Sequence, residues 1–229
     1  MTPMKRYAIY FAPRPGPFAR AAAHWLGWDA AAGRACAQPS LARLPRPLAA
    51  LTAAPRRYGF HGTLKPPFRL APGQDGAALR DALDALALRL APVSLPGLRL
   101  GVLSRFLALT PEGETTALNA LAARTVEALE PFRAPLTEAE IIRRQPALLT
   151  PRQRDLLARF GYPHVMEEFH FHLTLSDALT PDEAAILAPL AEAHFAPVLP
   201  RPFTLADLCL FGEDVEGRFH LLHRAALAG

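Results

Sequence analysis

Phe60-His61-Gly62-Thr63-Leu64 and Phe171-His172-Leu173-Thr174-Leu175 are two copies of one pentapeptide in a chain of 229 residues. The copies are identical at every position except the central one. Each copy is followed by a helix-forming stretch, then by a Pro-Val pair at 92–93 or 197–198, and then by residues that predict two strands. A match in both letters and context indicates an internal duplication.

The alternation of side chains along a strand pairs the polar residues of each copy. Side chains at positions i and i+2 point to the same face, so His61 shares a face with Thr63. By the same rule His172 shares a face with Thr174. If a twofold axis relates the copies, two imidazoles and two hydroxyls converge on one cleft.

Such a convergence suits the opening of a cyclic phosphodiester. An imidazole with a pKa of about 6.5 is either neutral or charged near neutral pH, so His61 and His172 can serve as one general base and one general acid. One takes a proton from the attacking water or hydroxyl, and the other gives a proton to the departing oxygen. Thr63 and Thr174 are predicted to donate hydrogen bonds to the phosphate. Lys65 is predicted to continue the same face and to add positive charge.

The residues before the second motif add two candidate binding residues. His170 and His172 share a strand face at a spacing that zinc also accepts, with Glu168 and His164 as the nearest further ligands. No third ligand is clearly indicated, so we predict no metal and expect His170 to line the cleft. Tyr162 lies in a turn ahead of the motif and is predicted to close over a ligand.

Composition restricts the partners and the location. Lys plus Arg number 25 against 21 Asp plus Glu, a net charge of +4, and the sequence contains no long basic run. This favours a small anionic partner over long nucleic acid. Two distant cysteines suggest neither a disulfide framework nor a thiolate zinc site. No segment approaches about 18 uninterrupted apolar residues, so we expect a cytoplasmic protein with no membrane partner. We also expect a monomer.

Periodicity, capping residues and turn residues predict the secondary structure of the chain. We expect one domain over 1–229, formed by two closely associated lobes, with the motifs near 58–68 and 168–176. The predicted strands are 6–12, 57–65 (stopped by Pro66-Pro67), 98–103, 105–110, 168–176, 203–211 and 218–224, and the predicted helices are 18–28, 41–51 (interrupted by prolines), 76–90, 115–129, 137–142, 150–160 and 180–195.

One HxT motif in each half of a duplicated chain resembles the signature of the two-histidine (2H) phosphoesterase superfamily, which includes RNA ligase-like cyclic phosphodiesterases. The stretches 6–13, 58–68 and 161–175 resemble the branch of that superfamily associated with phosphonate metabolism. The resemblance covers nearly the whole chain. It implies an α+β, bilobal fold with two antiparallel sheets lining a central cleft, helices outside, and chemistry without metal or cofactor.

The resemblance also implies residue roles. His61 and His172 would be the acid–base pair, and Thr63 and Thr174 would bind the phosphate. Position 170 is often arginine in the branch, so His170 would be a weaker, pH-dependent contact to an anion.

The expected function is a metal-independent phosphodiesterase that acts on a small cyclic phosphate. A ribose or nucleotide cyclic phosphate in phosphonate breakdown is the substrate class that the resemblance implies. Two alternatives stay open. One is a non-catalytic module that holds a nucleotide or an RNA end. The other is processing or ligation of RNA 2′,3′-cyclic ends, which would need a longer basic groove than the short pairs Arg56-Arg57 and Arg143-Arg144 supply.

Overall fold

A seven-stranded antiparallel sheet forms the centre of the molecule. Residues 4–229, which the computed structural model describes, contain eleven strands. In chain order they are Arg6–Phe11 (β1), Trp28–Asp29 (β2), Arg34–Ala35 (β3), Gly62–Phe68 (β4), Val93–Leu95 (β5), Leu98–Leu103 (β6), Phe106–Pro111 (β7), Leu173–Thr174 (β8), Phe203–Leu205 (β9), Asp207–Glu213 (β10) and Phe219–Ala226 (β11). The spatial order in the large sheet is β11-β10-β1-β4-β8-β7-β6. The predicted α+β class with antiparallel strands is confirmed.

The strand order is symmetric about the contact between β4 and β8. Moving outward, β4 is followed by β1 and β10, while β8 is followed by β7 and β6. If β1–β6 are taken as one half and β7–β10 as the other, the last strand of each half pairs with the first strand of the other half: β6 with β7, and β10 with β1. The small pair formed by β5 and β9 obeys the same symmetry, because each half supplies one strand. Exchanged strands thus link the two halves.

The axis of this symmetry passes through the two pentapeptides. Gly62 pairs with Leu173, and these are the central residues of the two copies. Because β4 and β8 pair at this point, the two sheets implied by the resemblance are joined into one. The difference between the copies has a steric cause: a Cβ atom on Gly62 would lie 2.3 Å from the ring of Phe171.

Eight α-helices accompany the strands within the described residues. They are Pro17–Leu26 (α1), Leu48–Leu51 (α2), Ala53–Tyr58 (α3), Gly76–Ala87 (α4), Thr116–Ala128 (α5), Glu138–Arg143 (α6), Pro151–Phe160 (α7) and Pro181–Phe195 (α8). The predicted capping threonines Thr137, Thr150 and Thr180 each form a capping box at the start of a helix. None of these helices is long and apolar enough to cross a membrane.

The main core lies on one face of the sheet. The buried faces of α1, α4, α5 and α8 pack there against alternate strand residues such as Ile9 and Leu173. The other face of β1 carries Tyr10, which packs in a smaller cluster with Phe211 and Phe219. Alternation along β1 therefore separates a helix-covered face from the face on which the motif histidines lie.

Two predicted strands around the motifs have different bounds. Arg57 and Tyr58 belong to the helix α3, which a glycine in the left-handed region ends (Gly59, φ 70°), so the prediction of a strand from 57 is wrong. The strand β4 continues through Pro66 and Pro67 to Phe68, because its register with β1 shifts there. An irregular stretch accommodates residues that lack an N–H donor.

The second motif strand is also shorter than predicted. Residues Met166–Glu168 form a 3-10 turn, and only Leu173–Thr174 pairs with neighbouring strands. Of the predicted helix 41–51, only Leu48–Leu51 is helical, and the predicted strand 203–211 is divided into β9 and β10. The division of 203–211 follows from different pairing partners, because β9 pairs with β5 whereas β10 pairs with β1 and β11.

Candidate active site

His61 immediately precedes β4, and its ring is held from two sides. Its Nδ1 donates a hydrogen bond to the carbonyl oxygen of Gly59 at 2.9 Å. A carbonyl only accepts, so Nδ1 carries the proton and Nε2 is left as the acceptor nitrogen. The ring stacks on Tyr10, with centroids 3.9 Å apart and an interplanar angle of 26°. Tyr10 reaches this position because it lies opposite Thr63 in the β1–β4 register.

His172 has the same backbone contact in the second half. Its Nδ1 donates to the carbonyl oxygen of His170 at 2.8 Å, again two residues upstream. Its ring lies 5.6 Å from that of Phe106 at an angle of 49°, so it has no stacked neighbour like Tyr10. The two histidines thus have the same tautomer and are oriented by the same kind of hydrogen bond, and Nε2 of each ring remains available.

The surroundings of His61 favour its neutral form. Loss of water around the ring is the largest cause, and it lowers the pKa of His61 to about 4. The hydrogen bond to Gly59 acts in the opposite direction, and the charge of His172 lowers the pKa further. This effect of His172 on His61 indicates that the two imidazoles lie near each other.

A cleft of about 400 Å³ contains most of the predicted site residues. Its walls include His61, Thr63, Thr174 and Tyr162, and neither threonine hydroxyl bonds a partner among residues 4–229. The full lining is Arg6, Tyr10, Ala54, Pro55, Tyr58, His61, Thr63, Pro66, Pro67, Phe106, Arg144, Tyr162, Thr174, Ser176, Asp177 and Ala178.

A second depression of about 190 Å³ adjoins this cleft and contains His172 and His170. The cleft and the depression share Thr63, Pro66 and Tyr162 as lining residues. Thr63 and Tyr162 therefore lie between the two histidines of the motif pair. The structure brings together all the predicted site residues except one.

Lys65 is the exception, because its side chain does not reach the cleft. Lys65 is 1% exposed, and its ammonium donates to the carboxylate of Glu130 at 2.8 Å and to the carbonyl oxygen of Val126 at 3.1 Å. Burial lowers the pKa of Lys65, and the bond to Glu130 opposes that effect. The expected place of Lys65 in the phosphate clamp is not supported by these contacts.

A register shift explains where Lys65 points. Tyr10 pairs with Thr63 but the preceding Ile9 pairs with Lys65, so β4 has one extra residue, Leu64, at this position. Such a bulge breaks the alternation on which the sequence argument depended. Lys65 is consequently on the side of Ile9, facing the helix α5 and the main core.

His170 and Tyr162 both lie at the site, in different environments. His170 is exposed, lines the depression, and donates from Nδ1 to the carbonyl oxygen of Glu168 at 3.1 Å. Within residues 4–229 no three or more His, Cys, Asp or Glu side chains are grouped to hold a metal ion. The ring of Tyr162 lies under the Arg144 guanidinium, 4.8 Å away, and burial raises the pKa of its hydroxyl.

Several lining residues carry no motif in the sequence. Tyr10 and Phe106 come from β1 and β7, the strands that flank β4 and β8, and Arg144 follows the last residue of α6. The sequence signal for Tyr10 is its place in an alternating strand, but its partner Thr63 is set by pairing across the sheet. In the sequence, Arg144 stands out only as part of the short basic pair Arg143-Arg144.

The antiparallel α+β fold and the paired HxT motifs agree with the class that the sequence resembles, the 2H phosphoesterases. Residues 63–220 match the family described as Protein of unknown function (DUF1045), and the chain belongs to that family. Two curated proteins named Ribose 1,5-bisphosphate phosphokinase PhnN are similar to it. That of Janthinobacterium sp. (strain Marseille) is 39% identical over 220 residues, covering 93% of this chain and 49% of the relative. That of Laribacter hongkongensis (strain HLHK9) is 37% identical over 218 residues, with the same coverage.

The chain thus spans about half the length of these curated relatives. Similar solved structures include a phosphoesterase, at 18% identity and a TM-score of 0.44, covering 99% of this chain and 100% of the other. Another is E. coli LigT complexed with NADP+, at 20% identity and a TM-score of 0.46, covering 100% of both chains.

Proposed function

We propose that this chain is a phosphodiesterase that opens a small cyclic phosphate, with His61 and His172 as its acid–base pair. The observation that carries the proposal is the matched pair of Nδ1 hydrogen bonds to backbone carbonyls. Each bond fixes one tautomer and leaves Nε2 of the ring for proton transfer. Two such imidazoles beside two unbonded threonine hydroxyls are the groups that this reaction requires.

The environments of the two histidines suggest different roles. His61 is neutral at neutral pH, so its Nε2 takes a proton from the attacking water while the water oxygen bonds to phosphorus. The bond from phosphorus to the leaving sugar oxygen breaks, and His172 supplies a proton to that oxygen. The product is a phosphomonoester with a free neighbouring hydroxyl, and proton exchange with solvent restores the starting pair.

The threonines provide the neutral part of the site. Thr63 and Thr174 both line the cleft, one from each half of the symmetric sheet. Their hydroxyls are proposed to donate to the two non-bridging oxygens of the phosphate, where negative charge is greatest. Because a threonine hydroxyl is a far weaker acid than a protonated imidazole, the threonines do not compete with the protonated histidine for the role of acid.

The substrate class that we propose is a ribose cyclic phosphate. The curated relatives are named for ribose 1,5-bisphosphate, and the site volume of about 400 Å³ suits a phosphorylated sugar. The kinase activity in that name belongs to proteins about twice as long as this chain. We also propose that the reaction proceeds without a metal ion, since both proton transfers and the phosphate contacts are assigned to side chains.

A substrate panel tests the proposal directly. The purified chain is incubated with ribose 1,2-cyclic phosphate, nucleoside 2′,3′-cyclic phosphates, RNA with a 2′,3′-cyclic end, and linear diesters, and phosphorus NMR identifies the products. We expect hydrolysis of a small cyclic phosphate, with the same rate after treatment with EDTA.

Other outcomes would contradict the proposal. Binding of these compounds without turnover would favour a non-catalytic module. Turnover restricted to RNA ends would favour RNA processing.

A further inference from the structure

One wall of the cleft carries polar groups that have no partner in the protein. It is formed by three tyrosines and one arginine, which we call the tyrosine–arginine wall: Tyr10, Tyr58, Tyr162 and Arg144. None of the three phenolic hydroxyls forms a hydrogen bond with a residue in the described part of the chain, 4–229. The three hydroxyls are therefore free to donate hydrogen bonds to a ligand.

Arg144 is the cation of this wall. Its guanidinium lies 4.8 Å from the centre of the Tyr162 ring, and it forms no ion pair or side-chain hydrogen bond within residues 4–229. Arg6, the other arginine of the cleft, is instead bound to Glu213 through two hydrogen bonds of 2.5 and 2.8 Å. Arg144 is therefore the arginine whose charge is available to a ligand.

The unpartnered hydroxyl of Tyr10 is accessible at the cleft. Its side chain is only 1% exposed, yet it lines the cleft, and no fully enclosed polar atom lacks a partner in residues 4–229. The small accessible part of Tyr10 must then include its hydroxyl. Burial holds the pKa of Tyr10 well above its usual value, so the hydroxyl remains a donor at physiological pH.

We propose that the tyrosine–arginine wall is an anion subsite that binds a second phosphate group of the substrate, with Arg144 as its cation. This inference rests on the proposed function and deepens it by naming the substrate class: a cyclic sugar phosphate that carries another phosphate. Tyr162 connects the two subsites, because it lines both the cleft and the depression that holds His172.

The contacts on the three tyrosine rings favour a phosphate over a nucleobase at this wall. Tyr10 has a face stacked on His61, Tyr58 has a face stacked on Phe219 at 4.9 Å and 26°, and Tyr162 has a face under the guanidinium. Because one face of each ring is already covered, less surface is left on which a base could stack. A phosphate instead needs charged and neutral donors, and those are the unoccupied groups here.

The acidic residue of the cleft does not cancel this charge. Asp177 lines the cleft, but its carboxylate accepts a hydrogen bond from the Ala54 N–H at 2.8 Å, at the first turn of α3. Its charge also acts on Arg46 and Arg56, neither of which lines the cleft. The name of the curated relatives refers to a sugar with two phosphates, in agreement with the proposed class.

The test compares two substrates that differ only in the second phosphate. Ribose 1,2-cyclic phosphate and its 5-phosphorylated form are given to the wild type, Arg144→Gln, Arg144→Lys and the control Arg143→Gln. Arg143 is the preceding residue, is exposed, and does not line the cleft. We expect Arg144→Gln to raise KM for the 5-phosphorylated substrate at least tenfold with kcat within about threefold, and to change KM for the other less than twofold.

We also expect a definite order of affinity for the 5-phosphorylated substrate among the variants. Arg144→Lys should recover part of the affinity because it keeps the charge, and Arg143→Gln should behave as the wild type. Equal losses on both substrates in Arg144→Gln, or the same loss in Arg143→Gln, would overturn the subsite.

A binding measurement separates this inference from the proposed function. If the wild type hydrolyses neither substrate, the proposed function fails, but calorimetry with ribose 5-phosphate still tests the wall. Binding that is lost in Arg144→Gln and kept in Arg143→Gln supports the subsite. No binding to the wild type, or equal binding to all variants, overturns it.

Discussion

Gly62 pairs with Leu173, and this pair joins β4 to β8 at the centre of the symmetric sheet. The two residues are the positions at which the pentapeptides differ. Each lies between a motif histidine and a motif threonine, so the geometry of this pair sets the relation between the two halves of the site. The side chain at 62 is limited by the ring of Phe171, which itself packs against Phe11 and Phe203 at 6.1 and 6.0 Å.

We predict that Gly62→Ala destabilises the fold and lowers activity. The new Cβ would lie 2.3 Å from a ring that cannot retreat without disturbing the core, and overpacking of this kind costs about 1–3 kcal/mol. The free energy of unfolding is measured in denaturant. Gly101→Ala is the matched control, since Gly101 lies in the strand β6 with no atom within 4 Å of the position of a Cβ. Equal stability of the two variants would contradict the steric argument.

We predict that His61→Ala and His172→Ala each lower kcat for a cyclic phosphate by about 10²- to 10⁴-fold, the range typical of a lost general acid or base. Each ring contacts the backbone through one hydrogen bond only, so the fold should persist in circular dichroism and thermal unfolding. His24→Ala is the control, because His24 is exposed on α1. Retention of activity in either motif variant would remove that histidine from the mechanism.

The features that the sequence predicted correctly depend on neighbours in the chain. The helices α6, α7 and α8 begin after the threonines that cap them, and α1 ends at Gly27 in the left-handed conformation. Likewise, the HxT alternation places His61 and Thr63 together on the cleft, because it extends over only three residues. Local rules suffice where the interacting groups are close in sequence.

The features that were missed depend on pairing between distant segments. Lys65 was expected beside Thr63, but the bulge at Leu64 arises from the register with β1 and is not encoded in β4 alone. Arg144 lies 81 residues after Thr63 and reaches the cleft only because α6 and Tyr162 fold beside it. No periodicity in either segment indicates that contact.

We predict that Lys65→Met changes kcat/KM by less than twofold but that Glu130→Ala is strongly destabilising. Lys65 contacts α5 and not the cleft, and in Lys65→Met the Glu130 carboxylate keeps its ion pair with Arg133 at 2.6 Å. Glu130→Ala leaves a buried ammonium without its counter-ion, which costs ~3 kcal/mol or more. Unfolding in denaturant and steady-state kinetics measure both effects. A large loss of activity in a stably folded Lys65→Met would restore Lys65 to the phosphate clamp.

We predict that the acidic limb of the pH profile of kcat/KM lies near pH 4, well below the usual range of histidine. A general base must be neutral to accept a proton, and the pKa of His61 is lowered to about 4, so activity should fall only as the pH drops through that value. The stacked Tyr10 ring is part of what keeps water from His61. In Tyr10→Ala, water should reach the imidazole, raise its pKa toward about 6.5, and move the limb upward. In Tyr10→Phe the stacking ring remains and the limb should stay near 4. A wild-type limb near 6.5, or limbs that coincide in the alanine and phenylalanine variants, would refute the assignment of His61 as the desolvated base.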